Sequence, residues 1–203
     1  MPVWLSVFKQ EFELLRGKDV AESLKIFYSN PFDLNKNIGK AYNEYLSTLN
    51  AQDDDWIVMQ DGDILYLTAD WGKRINDALA LDGDKFGLVG CYTNRLRSKH
   101  QLHKNEFSYD LNVRNHYEIA MAYQGEGIQE ISQYIAGFFM AFQYKTWKKN
   151  KFVENSLAFD SLFSMRVKEL GLKVGLIRSL YVFHGYRLWQ DFEPWNDKKH
   201  LTK

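Results

Sequence analysis

The 203-residue sequence holds a single cysteine, Cys91, and only three prolines. One thiol excludes an internal disulfide framework and fits a reducing compartment. Its neighbours Leu88, Val89 and Gly90 point to a buried strand residue rather than a nucleophile. Excess charge is lacking as well, because 26 basic residues balance 26 acidic ones. A nucleic-acid or anionic-membrane surface needs a positive surplus, so neither partner is expected. No apolar run reaches the roughly eighteen residues of a membrane-spanning helix. Met1 to Phe12 has no basic flank and is interrupted by Lys9 and Glu11, so no signal peptide is expected. Internal repeats, low-complexity tracts and dividing linkers are also missing. The expectation is one soluble, cytoplasmic domain with no transmembrane segment.

What is present is a large apolar complement: 45% hydrophobic residues, with six Trp, twelve Tyr and fourteen Phe, enough for a full core. The most informative stretch runs from Asp53 to Asp63. Asp53-Asp54-Asp55 ends a polar linker, Trp56-Ile57-Val58-Met59 follows, and Gln60-Asp61-Gly62-Asp63 closes it. The apolar run is too short for a helix and reads as a strand buried on both faces. Open α/β sheets bind ligands at the carboxyl ends of such strands. Asp61 and Asp63 occupy alternate positions there and point the same way. Gly62 keeps the backbone between them thin. Two hard oxygen ligands suit Mg²⁺ or Mn²⁺ holding a diphosphate. The same tripeptide could instead close a hairpin between Ile57–Met59 and Ile64–Leu67.

In chain order, Pro2–Phe8 reads as a strand or extended arm, with short helical pieces over Gln10–Leu15 and Asp19–Leu24. Lys25–Ser29 is a strand ended by the Asn30-Pro31 turn. A loop over residues 35–39 leads into a helix, Lys40–Leu49, and then the buried strand, which makes a βαβ unit and favours a parallel sheet. Trp71–Leu81 reads as a helix and Phe86–Tyr92 as a second buried strand. From Thr93 to Glu130 the pattern fades, as in a lid or a substrate-binding insertion. Its basic residues Arg95, Arg97, Lys99, His100, His103 and Lys104 read as a solvated face rather than a phosphate clamp. Order returns with a strand over Ile135–Phe142, a helix over Leu157–Leu170 capped by Gly171, a short strand Lys173–Arg178, and an apolar run Leu180–His184. The aromatic tail residues Trp189, Phe192 and Trp195 are expected to pack back on the body.

Several motifs now stand in one order. Asn37-Ile38-Gly39-Lys40-Ala41-Tyr42-Asn43 opens a helix, Asp61-Gly62-Asp63 ends a strand, and Gly137–Phe142 is a glycine-containing strand. Phe159-Asp160-Ser161-Leu162-Phe163-Ser164-Met165-Arg166 precedes Glu169-Leu170-Gly171, and Tyr181-Val182-Phe183-His184 ends the last apolar run. Together they resemble the family-2 glycosyltransferases of the GT-A fold, over about Ile26 to Tyr186. The resemblance implies a Rossmann-like, mostly parallel central sheet flanked by helices. It also implies transfer of a sugar from a nucleotide-diphosphate donor to the hydroxyl of a carbohydrate, lipid-linked or other acceptor, with inversion. Asp61, Asp63 and His184 would hold Mn²⁺ or Mg²⁺, and Asp160 would be the general base. Asn37, Gly39, Lys40, Asn43, Gln60, Asp61, Gly62 and Gly137 would lie by the donor, with Ser29, Asn30 and Asp33 as candidates for base recognition. Arg166 reads as a structural partner.

The chain departs from the family at two points. Only Met1 to Leu24 precede the Ile26–Ser29 strand, where the family has a nucleotide-binding strand and helix. Phe159 and Leu162 stand where acidic residues are usual. Two other readings therefore stay open: a sugar-phosphate nucleotidyltransferase, and a non-catalytic carbohydrate- or nucleotide-sugar-binding module. Taken singly, His184 could be a satisfied core histidine, and Asp160 a carboxylate favoured at a helix start.

Overall fold

Strand β2 (Trp56–Gln60) is sealed on both sides: Trp56, Ile57, Val58 and Met59 are each at most 2% exposed. Successive side chains of a strand face opposite ways, so this one run feeds two cores. Trp56 and Val58 join Ile75, Leu79, Val89 and Phe139 on one face, while Ile57 and Met59 join Tyr42, Leu46, Phe142 and Phe163 on the other. Each such side chain contributes about 1.5–3 kcal/mol by burial.

The computed structural model describes residues 24–186 and 188. The expected arm and helical pieces before Leu24, and the aromatic tail from Trp189, lie outside the described residues. Before β2 come β1 (Ile26–Ser29) and α1 (Ile38–Thr48); after it come β3 (Ile64–Tyr66), α2 (Trp71–Asp82) and β4 (Phe86–Thr93). Then follow α3 (Val113–Ala122), β5 (Ile128–Glu130), β6 (Phe139–Gln143), α4 (Tyr144–Lys149), α5 (Phe159–Glu169) and β7 (Lys173–His184). The strands form one open sheet in the order β1-β2-β6-β4-β7-β3, with β5 also paired to β7. None of the described helices is long and apolar enough to cross a membrane.

The α/β class and the β1-α1-β2 unit hold, with Ile26 paired to Trp56 and Ser29 to Met59 in parallel. The expectation of a mostly parallel sheet does not. Only β1/β2 and β4/β7 run parallel, whereas β2/β6, β4/β6, β3/β7 and β5/β7 are antiparallel. The cause is the entry into β6: the chain arrives at the carboxyl edge of β2, where Phe139 pairs with Gln60, and must run back down.

Gly137 also lies ahead of β6 rather than in a strand. The amides of Ile135, Ala136 and Gly137 donate to Ser164 Oγ, Gln101 Oε1 and Asp160 Oδ2, at 3.0, 2.8 and 2.8 Å, and so no ladder can take them.

Asp61-Gly62-Asp63 closes no hairpin, because β2 and β3 do not pair and β3 pairs with β7 instead. The two runs Lys173–Arg178 and Leu180–His184 are one strand with a fault in it. The register against β4 jumps from Gly90↔Leu176 to Tyr92↔Tyr181. The bulged residues turn the second half of β7 towards β3.

Residues 93–130 carry more order than their sequence suggests. Helix α3 presents His116 and Ala120 inward and leaves Val113, Tyr117 and Met121 exposed. His116 is satisfied in that position by the Tyr181 hydroxyl at 2.7 Å and the Asp110 carbonyl at 2.8 Å. Arg74, 9% exposed, staples the end of α3 to the body, with Nη1 donating to the carbonyls of Ala120, Tyr123 and Ser179. Replacing Arg74 with Met should leave those carbonyls short of a donor. Urea unfolding is expected to read a loss of about 2–4 kcal/mol; a loss under about 0.5 kcal/mol would contradict the staple.

Candidate functional site

The fault in β7 brings His184 to the end of β2. Ile64 pairs with His184, and the Gly185 amide donates to the Asp63 carbonyl at 2.8 Å. Asp61 is fixed from the other side, its amide donating to the Phe138 carbonyl at 3.0 Å. His184 Nε2 then lies 3.3 Å from Asp63 Oδ1 and 3.7 Å from Asp61 Oδ2. At 3.7 Å Asp61 acts on the ring as a charge, and Asp63 is the nearer acceptor.

The imidazole is held on every side. It is 2% exposed, stacks on Phe138 with ring centroids 5.0 Å apart, and has Nδ1 3.0 Å from the Arg95 carbonyl. A carbonyl only accepts, so Nδ1 carries a proton; without metal Nε2 carries one too and turns it to the carboxylates, and a cation bound there would take the Nε2 lone pair in its place. The His184 amide donates to Asn94 Oδ1 at 2.7 Å, and Asn94 is itself buried.

One ligand atom from each of Asp61, Asp63 and His184 falls within 4.8 Å of the others. Neighbouring donors on an octahedral ion with bonds near 2.1 Å sit about 3.0 Å apart, and opposite ones about 4.2 Å. The site therefore needs only a small contraction to hold a divalent cation. The two carboxylates, with side chains 46% and 42% exposed, can supply it by rotating. One imidazole with two carboxylates suits Mg²⁺, Mn²⁺ or Zn²⁺ alike.

The electrostatics match. Burial pulls the His184 pKa down, but the neighbouring Asp61 and Asp63 carboxylates outweigh it and raise it to about 9. The Asp63 carboxyl is held below its usual range, chiefly by His184.

Asp160 sits in the first turn of α5. Its Oδ2 accepts from the Gly137 amide at 2.8 Å and its Oδ1 from the Ser161 amide at 2.7 Å. Burial raises its pKa, although those amides pull the other way. Gly137 is needed for this approach, since a Cβ there would fall 2.8 Å from the Phe159 ring. Gly137 and Phe138 thus tie the two halves together: one holds Asp160, the other holds Asp61. Tyr42 lies within electrostatic reach of both; burial, then Asp61 and Asp160, raise its phenol.

The remaining predicted residues divide into two groups. Asn30 and Gln60 reach the same edge as Asp61: a Cβ on Gly62 would stand 3.7 Å from Asn30 Nδ2, and Ser29 pairs one step back with Met59. Gln60 Oε1 accepts from the Tyr66 hydroxyl.

The second group clamps the segment 152–155 to α1. Asn37 caps α1 and bonds to Asn155 through both side-chain atoms. Asn43 accepts from Trp147 Nε1 and the Phe152 amide and donates to the Phe152 carbonyl and Glu154. Gly39 packs beneath them, where a Cβ would lie 2.2 Å from the Val153 carbonyl oxygen. Lys40 forms an exposed pair with Glu44, and Asp33 closes its own turn by accepting from the Asn35 amide at 2.7 Å.

The basic residues of 93–104 do not converge. Arg95 is buried over the Phe107 ring, His103 bonds Tyr123, and Arg97 and Lys104 are exposed. Sequence reasoning missed Asn94, Arg95 and Phe138 as the frame of His184. Two of the three act through backbone carbonyls or ring stacking, which leave no side-chain pattern.

No protein-family model matches the chain, and no curated protein matches it either.

The raised His184 pKa has a definite sign. Without metal, the imidazolium–carboxylate contact stabilises the fold fully below about 6.5 and is lost as pH rises through about 9. With Asp61 and Asp63 both changed to Asn, burial alone remains, and His184 should titrate below 6.5 by NMR. Titration still near 9 in that variant would disprove the pairing.

Proposed function

We propose that this chain is a metal-dependent glycosyltransferase of the GT-A type, moving a sugar from a nucleotide-diphosphate donor to an acceptor hydroxyl with inversion. The observation that carries the reading is the meeting of Asp61, Asp63 and His184 at the carboxyl edge of β2, with the half-buried Asp160 joined to them through Gly137-Phe138. Ligands of open α/β sheets bind at that edge.

In this reading Asp61, Asp63 and His184 would hold Mn²⁺ or Mg²⁺, which would supply Lewis-acid stabilisation of the departing nucleoside diphosphate. Asp160 takes the proton of the acceptor hydroxyl as its oxygen forms the new bond to the anomeric carbon, while the bond from that carbon to the diphosphate oxygen breaks on the opposite face. Burial favours this role, because a carboxyl whose pKa is raised is a stronger base than an ordinary aspartate. The amides of Gly137 and Ser161 occupy one lone pair on each oxygen and fix the carboxylate's orientation. Asn30 and Gln60, beside Asp61, are positioned for the nucleotide end of the donor.

A thermal-shift series of nucleoside diphosphates, with and without Mn²⁺, tests the donor site, since a ligand bound only by the native state raises Tm. A metal-dependent shift that vanishes in Asp63→Ala is expected. Asp160→Asn should keep that shift and lower transfer at least about 100-fold; a variant that transfers at the native rate removes Asp160 from the mechanism. Diphosphate binding with no transfer to any acceptor would favour the non-catalytic module.

A further inference from the structure

Beside Asp160 the fold forms a cavity of about 420 Å³, a size suited to a small molecule. Ser98, His100, Gln133, Tyr134 and Ser161 line it together with Asp160. Most small-molecule pockets are chiefly apolar; here Ile135 and Ala136 also line the cavity, but hydroxyl, amide, imidazole and carboxylate side chains outnumber them. An apolar ligand would strip these groups of water without replacing their hydrogen bonds, whereas a ligand dense in hydroxyls replaces them.

The wall is built before any ligand arrives. Lys168 on α5 donates to the carbonyls of Ser132 and Gln133 and lies 5.0 Å from the Tyr134 ring centroid. The following amides, Ile135 and Ala136, are taken by Ser164 and Gln101. His100 Nε2 is 2.8 Å from the Tyr134 carbonyl, so it donates there and leaves Nδ1 as an acceptor in the neutral ring. Burial, with Lys168 nearby, keeps that ring neutral by lowering its pKa. Tyr134 itself lines the cavity and is 46% exposed. A sugar ring has hydroxyls at its rim and C–H groups on its faces, which fits a polar cavity with one aromatic wall.

We propose that this cavity is a glycoside-binding subsite, so that the acceptor is a sugar residue rather than a lipid alcohol or an amino-acid hydroxyl. Only the word acceptor rests on the transfer reading; the binding stands by itself. Gln133 and His100 set which hydroxyl faces Asp160, and Tyr134 supports the ring.

Saturation-transfer NMR on the full chain, with no donor and no metal, tests this with methyl glycosides of glucose, galactose, mannose and N-acetylglucosamine, and with hexanol as the apolar comparison. At least one glycoside should bind saturably and hexanol should not. Tyr134→Ala and Gln133→Ala should each weaken the glycoside about tenfold or more. Both positions are exposed; should one variant lose its cooperative melt, the other decides. No binding by any glycoside, preferred binding of hexanol, or native affinity in the folded variants overturns the proposal. Glycoside binding without Mn²⁺-dependent diphosphate binding supports the subsite and counts against transfer. Diphosphate binding without glycoside binding overturns the subsite and leaves transfer standing.

Discussion

The pairing of β3 with the far half of β7 is the constraint on which the site depends. Asp61 follows β2, one strand in from the β1 edge of the sheet, while Asp63 precedes β3, a strand that pairs elsewhere. The two meet one imidazole only because β7 breaks register against β4 and folds its end over β3. The ladder contact of Ile64 with His184, and the Gly185 amide on the Asp63 carbonyl, then fix the ring to within hydrogen-bond precision. Burial would expel a charged imidazole from this position, yet the adjacent carboxylates more than compensate. A metal cation in the same place would relieve the carboxylates more fully than a proton does.

The second support is a run of backbone that pairs with no strand. Residues 135–137 give their amides to Ser164, Gln101 and Asp160, and Phe138 then gives its carbonyl to Asp61 and its ring to His184. A short segment thereby joins helix α5, the candidate metal centre and the polar cavity. On the same face of the sheet as α5, Asn37, Gly39 and Asn43 lock α1 to residues 152–155. Their hydrogen bonds are directed within the chain, so their spacing is accounted for by packing whether or not a donor lies near.

Much of this was legible in the sequence, for a physical reason. Trp56–Met59 has no polar residue to face water, so its burial on both faces follows directly, as does the choice of its carboxyl end for the candidate site. Asp61 and Asp63 could be singled out because they flank Gly62 where an apolar run stops, and His184 because it ends the last one. Strand direction was not legible: β6 is antiparallel because of where the chain enters it, and the burial of its side chains is the same either way. Nor was the β7 fault, since Arg178 and Ser179 look like an ordinary interruption between two strands. Helix α3 escaped notice because its pattern is inverted, with a hydrogen-bonded His116 inside and Val113, Tyr117 and Met121 outside. Periodicity reads the apolar face as the buried one, and here it is not.

The central claim is that Asp61, Asp63 and His184 form one divalent-metal centre. Anomalous diffraction from crystals soaked in Mn²⁺ tests it most directly, because it locates the ion without relying on activity. The account predicts a single strong peak within bonding distance of all three side chains, absent in His184→Ala crystals. A peak elsewhere, or none at a Mn²⁺ concentration that saturates ordinary carboxylate sites, would contradict it.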